Sequence, residues 1–186
     1  LIDIPGINNI IPNSEDEIIS RNILLHENVD SIALIADGKN LRRSLFLVFQ
    51  LMDYEKSMVL NINMMDEARQ RGININFKRL SSILGIHITK SIAIESVGIS
   101  DFKKAAMSPK RPVFSFRYHP IIENTLDELR DIIQVNGIPV RAIGLALLSG
   151  DVSVKEYIKE SLSKDIVEKI ENVVSDTQAK FKRPLG

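Results

Sequence analysis

Asn63 and Asp66 stand three residues apart in the stretch VLNINMMDEA, Val59 to Ala68. An aspartate carboxylate accepts two parallel hydrogen bonds, and guanine offers a matching donor pair in its ring N–H and exocyclic amine. Adenine lacks that pair and would leave the carboxylate desolvated and unpaired, so a site of this kind rejects it. The Asn63 amide would brace the neighbouring loops. A plainer reading ends a strand at Asn63 and puts Asp66 in the first turn of a helix, where the dipole favours acids. The NxxD spacing alone is too short to decide between them.

The surrounding pattern gives the pair an address. VLNIN alternates apolar and small polar residues much as a buried strand does, and Met64 to Arg71 reads as a helix. Asn63 and Asp66 then sit where a strand hands over to a helix, the edge at which open α/β sheets collect ligands. Upstream, Leu1 to Ile4 reads as a strand end, followed by the loop PGINNIIPNS. Ser14 with Glu17 makes a capping box, and Ile18, Ile19, Ile23 and Leu24 line the apolar face of the helix it opens. VDSIALIADG reads as a buried strand, and Asn40 as the cap of the helix NLRRSLFLVFQLMDYE. Phe77 to Leu84 is a helix stopped by Gly85, IHITKSIAI a strand and ISDFKKAAM a helix. Strands alternating with helices predict an α/β fold, a mostly parallel sheet with helices on both faces.

After Met107 the character changes. SPKRP is a linker by composition and VFSFRY a short extended piece. Four helical patterns follow, in LDELRDII, VRAIGLALL, VKEYIKESL and DIVEKIENVVSDTQAKF. The expected division is a sheet domain over residues 1–108 and a small all-helical domain over 109–186.

Composition narrows the function. Lysine plus arginine equal aspartate plus glutamate at 24 each, so there is no basic footprint for nucleic acid. Cysteine is absent, which removes thiolate metal sites and disulfides. No apolar run approaches the ~18 residues a membrane span requires. His26, His87 and His119 show no ligand spacing, and Met64 and Met65 suit packing better than a soft-metal site, so no direct transition-metal binding is expected.

Three features fall in a fixed order at successive strand ends. DIPG spans Asp3, Ile4, Pro5 and Gly6; NMMD spans Asn63, Met64, Met65 and Asp66; SIAIE runs from Ser91 to Glu95. That is the order of the third, fourth and fifth signature motifs of small GTP-binding proteins. In such a site the Asp of DxxG reaches Mg2+ through water, and the Gly N–H meets the γ-phosphate. The fifth motif would bring Ile92, Ala93 and Ile94 to the base, with the Ala93 N–H toward the guanine O6. DIPG by itself is equally a strand-ending turn. Three motifs in sequence are much less accidental than one.

With these motifs in place, the sequence resembles the cytoplasmic part of ferrous-iron transport protein B. DIPG with NSEDEIISRNILL resembles that family's switch region and following helix. NLRRSLFLVFQLM resembles its next helix, and NMMDEARQRGININFKRLSSILG its guanine motif and continuation. Met64 stands where most GTPases carry Lys, as it commonly does in this family. NGIPVRAIGLALLSGD resembles the helical domain between the family's GTPase part and its membrane core. The resemblance implies GTP or GDP with Mg2+ and K+ as bound species. It also implies the transmembrane part of the same transporter as partner, and a place on the cytoplasmic face of the inner membrane.

The departures are specific. A phosphate loop, GxxxxGK[ST], occurs nowhere; Gly38-Lys39 is followed by Asn40. The chain opens within a strand, as a fragment lacking the family's N-terminal part would, and alone it is expected to be an inactive GTPase. Ile92 replaces the Ser common before Ala93. Ile7 stands where a Ras-type Gln would orient the attacking water, so no catalytic side chain is assigned. Two alternatives stay open: a non-catalytic interaction domain with a GTPase-like fold, and a GTPase of RNA or ribosome maturation. The neutral charge counts against the second.

Overall fold

VLNIN does form strand: Ser57–Asn63 is the central strand of a three-stranded sheet, and every residue from Met58 to Ile62 is buried. The computed structural model describes residues 1–11, 14–135 and 137–185. In chain order the first elements are α1 (Glu15–His26), β1 (Ser31–Asp37), α2 (Leu41–Met52), β2 (Ser57–Asn63) and α3 (Met65–Gln70). Then come α4 (Phe77–Leu84), β3 (His87–Lys90), α5 (Ile99–Ala106), α6 (Pro120–Ile132), α7 (Val140–Leu148), α8 (Val152–Ser161) and α9 (Lys164–Gln178). These group into two compact units, Glu27–Ser115 and a second made of Leu1–His26 with Phe116–Gly186.

In the sheet unit the order is β1-β2-β3 and both pairings are parallel. Successive side chains of a strand point to opposite faces, so the uninterrupted burial of β2 means that both of its faces are covered. The register aligns Asp37 with Asn63, and Ile62 with Lys90, so all three strands end at one edge. β1 differs from its expectation as a buried strand: it is an edge strand, and Ile35 is 60% exposed. Gly85 ends α4 in the left-handed conformation expected of a C-cap, its N–H bonding the Ser81 carbonyl. Asn40 does not cap α2 through its side chain. Although Asn40 is the N-cap residue, its amide donates to Asp37 at 2.9 Å, and Asp37 caps the tight turn Gly38–Asn40 by accepting from the Lys39 N–H at 2.8 Å.

Leu1 to Ile4, expected as a strand end, is in no strand among the described residues. Extended backbone becomes strand only when a neighbouring strand pairs with it. VFSFRY likewise lies in no strand, though Lys110, just before it, makes an isolated bridge to Met58. The expected loop from Pro5 to Ser14 is irregular where described; Pro12 and Asn13 lie outside the described residues, as does Asn136 within NGIPVRAIGLALLSGD.

The second unit is helical. α6 to α9 bury Leu126, Leu129, Ile143, Val154, Ile158 and Ile170 to 1% exposure or less. Pro120 opens α6 in a position that needs no N–H, and the His119 imidazole accepts from the Ile121 N–H. A Cβ on Gly144 would sit 2.6 Å from the Leu126 side chain, so glycine lets α7 approach α6 closely. Arg141 of α7 grips Glu123 of α6 through two bonds of 2.8 and 3.0 Å. α1 packs in this unit, and its buried stripe is Glu17, Ser20, Arg21, Leu24 and Leu25. Ile18 and Ile19, expected on the apolar face, are 40% and 47% exposed. The stripe is set instead by Arg21, 1% exposed, whose guanidinium bonds the buried Asp151 carboxylate at the start of α8. Asp151 also caps that helix, accepting from the Ser153 and Val154 N–H groups at 3.0 and 3.2 Å.

Candidate functional site

Asn63 is the last residue of β2 and Asp66 lies in the first turn of α3. Between them Met64 takes a left-handed conformation, φ 59° and ψ 40°, rare for a residue with a Cβ. This turns the chain sharply, so helix begins within two residues of the strand end. Met65 is 5% exposed and belongs to the core; Met64 is exposed.

The loop after β3 is fastened to this turn. The Ser91 N–H bonds the Ile62 carbonyl at 2.9 Å, and the Met65 N–H bonds the Ser91 carbonyl at 3.3 Å. Asn63 Oδ1 accepts from the Ser91 hydroxyl and from the Ala93 N–H, both at 3.0 Å. The Asn63 amide therefore braces the neighbouring loop, as its position predicts. The Ala93 N–H, expected toward a guanine O6, is donated to Asn63 here. Ile92 closes the loop with two backbone bonds to Val97, leaving Ile94 89% exposed on the tight turn Ala93–Glu95.

Asp66 is half-buried, and among the described residues its carboxylate has no hydrogen-bond or ion-pair partner. The next acid along, Glu67, is engaged: Lys39 reaches it at 2.8 Å from the loop after β1. That loop lies against the site, since a Cβ on Gly38 would sit 2.9 Å from the Asn63 carbonyl oxygen. Burial pushes the Asp37 carboxyl up. The Lys39 N–H, the Asn40 amide and the charges of Lys39 and Arg71 outweigh it and hold the group below its ordinary range. The edge thus keeps one acid satisfied by its loop, one paired with a cation, and Asp66 available.

Two contributors escape motif reading. Asn61, 2% exposed inside β2, donates to the Ser91 hydroxyl at 2.8 Å, and the Thr89 hydroxyl donates to Asn61 Oδ1 at 2.9 Å. The signal for Asn61 is an amide amid the buried apolar residues of β2, since a buried amide needs partners; Thr89, in the mostly polar β3, carries no such signal.

Asp3, Ile4, Pro5 and Gly6 belong to the other compact unit, on the irregular segment before α1. Pro5 is half-buried and the other three are exposed. Two of the three histidines pack against aromatic rings: His26 edge-on against Tyr157, and His119 against Phe181. No group of three or more potential ligands is placed to hold a metal ion among the described residues.

The chain is similar to known proteins in sequence and in fold. Residues 1–106 match the family described as ferrous iron transport protein B, and residues 118–186 match its cytosolic helical domain. The chain belongs to the ferrous iron transport protein B family. Among relatives of this family, the Fe(2+) transporter FeoB of Methanocaldococcus jannaschii is 34% identical over 187 residues. That match takes in 97% of this chain but 28% of the relative, so the chain spans about a quarter of that protein's length. A crystal structure of an S. thermophilus NFeoB variant bound to GDP superposes with a TM-score of 0.85 at 25% identity, over 98% of this chain and 72% of that one. NFeoB of S. thermophilus bound to GDP.AlF4- and K+ gives 0.84 at 26% identity, over 98% and 73%. The family's fold is the expected one: a P-loop-GTPase-like parallel sheet followed by a helical domain. No helix among the described residues is long and apolar enough to cross a membrane.

Proposed function

We propose that this chain is the guanine-nucleotide-binding cytoplasmic module of a ferrous-iron membrane transporter, in which GTP binding and hydrolysis regulate Fe(II) uptake. One observation carries the reading: the unpartnered Asp66 carboxylate, held at the strand-ending edge beside a loop clamped by Asn63. A merely structural acid in a first helical turn would not call for the Asn63 bonds that pin the loop opposite. The solved relatives bound to GDP support the same ligand.

In this reading Asp66 takes the guanine ring N–H and amine, Asn63, Met64 and Met65 form the strand-end turn beneath the base, and Ile92, Ala93 and Ile94 border it. Gly6 meets the γ-phosphate through its N–H. Its φ is not positive and a Cβ there would have nothing within 4 Å among the described residues, so no contact of its own there calls for glycine. Asp3, exposed and without a partner among the described residues, suits a water-mediated contact to Mg2+, which supplies charge neutralisation at the phosphates. K+ has no assigned ligand in this chain. Residues 1–186 hold no GK[ST] cradle, so phosphate affinity and hydrolysis belong to the protein that carries one. The transmembrane part of the transporter is the partner, at the cytoplasmic face of the membrane, and neither nucleic acid nor iron is a ligand of this module.

The test is base choice in the full-length protein. Asp66→Asn replaces a charged bidentate acceptor with an amide and is expected to weaken GDP binding by about 2–4 kcal/mol. Xanthine nucleotides, with the complementary pattern, should bind better to the variant. GDP affinity unchanged in Asp66→Asn would remove the guanine site from this stretch.

A further inference from the structure

Asn61 sits at the centre of β2, 2% exposed and flanked by fully buried Leu60 and Ile62. Burying an amide there is costly unless its polar atoms are bonded. Of its two bonds, one comes from Thr89 and the other runs through Ser91 to Asn63. The polarity of the chain of contacts follows from a single backbone group. The Ala93 N–H can only donate, so the Asn63 atom it meets at 3.0 Å is the carbonyl oxygen, Oδ1. Ser91 Oγ lies 3.0 Å from that same oxygen and must spend its one proton on it. Ser91 then has only lone pairs left for Asn61, so the Asn61 atom at 2.8 Å is the amide nitrogen. Asn61 Oδ1 consequently faces Thr89, whose hydroxyl donates at 2.9 Å. Every member of the series has its orientation determined by the next.

We infer that Asn61 and Ser91 are positioning residues for nucleotide binding, a buried relay that turns the NH2 end of the Asn63 carboxamide toward the ligand. The inference rests on the guanine reading above. Asn63 Oδ1 is fully used inside the protein, so what remains for a base is a pair of N–H donors. Guanine presents the acceptors O6 and N7 to such donors. Without Asn61, the Ser91 hydroxyl has no donor holding its lone pairs and rotates freely. The Asn63 amide then keeps only the Ala93 N–H to define its rotation.

The experiment is a double-mutant cycle on the full-length protein, with GDP and IDP affinities measured by titration and folding checked by thermal melting. Asn61→Ala is expected to weaken both nucleotides by the same factor, on the order of fivefold for one misaligned hydrogen-bonding group. The GDP:IDP ratio stays constant because both bases carry O6 and N7. In an Asn63→Ala background the same change is expected to have no further effect, since the relay then orients nothing. Equal losses in both backgrounds, or wild-type affinity in folded Asn61→Ala, would overturn the relay. If Asn61→Ala does not fold, Ser91→Ala runs the same cycle with the same expectations. Asn63→Ala and Asp66→Asn that both bind GDP as wild type does would instead remove the guanine reading, and the relay with it.

Discussion

A glycine can be demanded by its own surroundings or by something that must come close to it. Gly98 and Gly6 separate the two cases. Gly98 has φ +79°, and a Cβ there would sit 2.0 Å from the Lys90 carbonyl oxygen, directly behind the loop that Asn63 clamps. Gly98→Ala is therefore expected to cost roughly 2–3 kcal/mol of stability through strain and a backbone clash, read as a lowered urea midpoint. Gly6→Ala should leave the midpoint within about 0.5 kcal/mol of wild type, because a Cβ there would meet nothing within 4 Å among the described residues. What it should lose is preference for GTP over GDP. A Gly6→Ala protein that is destabilised yet keeps its preference would make Gly6 structural. At this scale the sequence was informative where residue types were unusual for their place. Asn63 and Asp66 stood out as polar residues at a strand end. Asn61 stands out less, because the alternation of VLNIN reads as a buried strand without showing what its amide would meet. Only the second covered face of β2 makes that asparagine an anomaly needing partners.

Element boundaries were legible where a local chemical stop exists. Gly85 after α4 is such a signal and lies where that helix ends, whereas α6 opens at Pro120, well before the pattern LDELRDII begins. Asn40 stands at the N-cap of α2 as its residue type suggests, but its side chain is drawn to Asp37, which caps the tight turn Gly38–Asn40 just before the helix. The edge position of β1 has no local signal, since an edge strand and a central one read alike until their neighbours are known. Between helices, the α6–α7 clamp gives a pH dependence. The Arg141 guanidinium beside Glu123 is the main cause holding its carboxyl below its ordinary 4.5; burial opposes this, and the Tyr118 N–H adds to it. A carboxyl depressed in the folded state contributes stability that is present above the unfolded value and lost as pH falls through the folded one. The wild-type melting temperature should therefore fall more steeply than that of Glu123→Gln between about pH 5 and pH 3. The two should run parallel above that window. Parallel slopes throughout would show that the clamp carries no proton linkage.

For the molecule as a unit, the composition change at Ser108–Pro112 was visible in sequence, but the return of the N-terminal helix to the C-terminal ones was not. Arg21 and Asp151 are 130 residues apart, and Arg21 lies in a polar stretch that reads as solvent-facing. Its burial is decided by a partner that no local window contains. That pairing gives physical content to communication through the chain. The DIPG segment runs into α1, and α1 is held in the helical unit by the buried Arg21–Asp151 bond. A segment ordered by γ-phosphate and released on hydrolysis would bias the helix it leads into. The competing picture is a rigid helical spacer, indifferent to the nucleotide. Substituting both partners, Arg21→Met with Asp151→Leu, removes the charges together and avoids the ~3–5 kcal/mol cost of stranding one of them. Coupling is reciprocal in binding free energy, so a relay predicts that this double variant of the full-length protein changes its GTP:GDP affinity ratio, on the order of fivefold. Both affinities can be measured by competition against one fluorescent nucleotide. An unchanged ratio in a variant that still melts cooperatively assigns the helical unit to the spacer role.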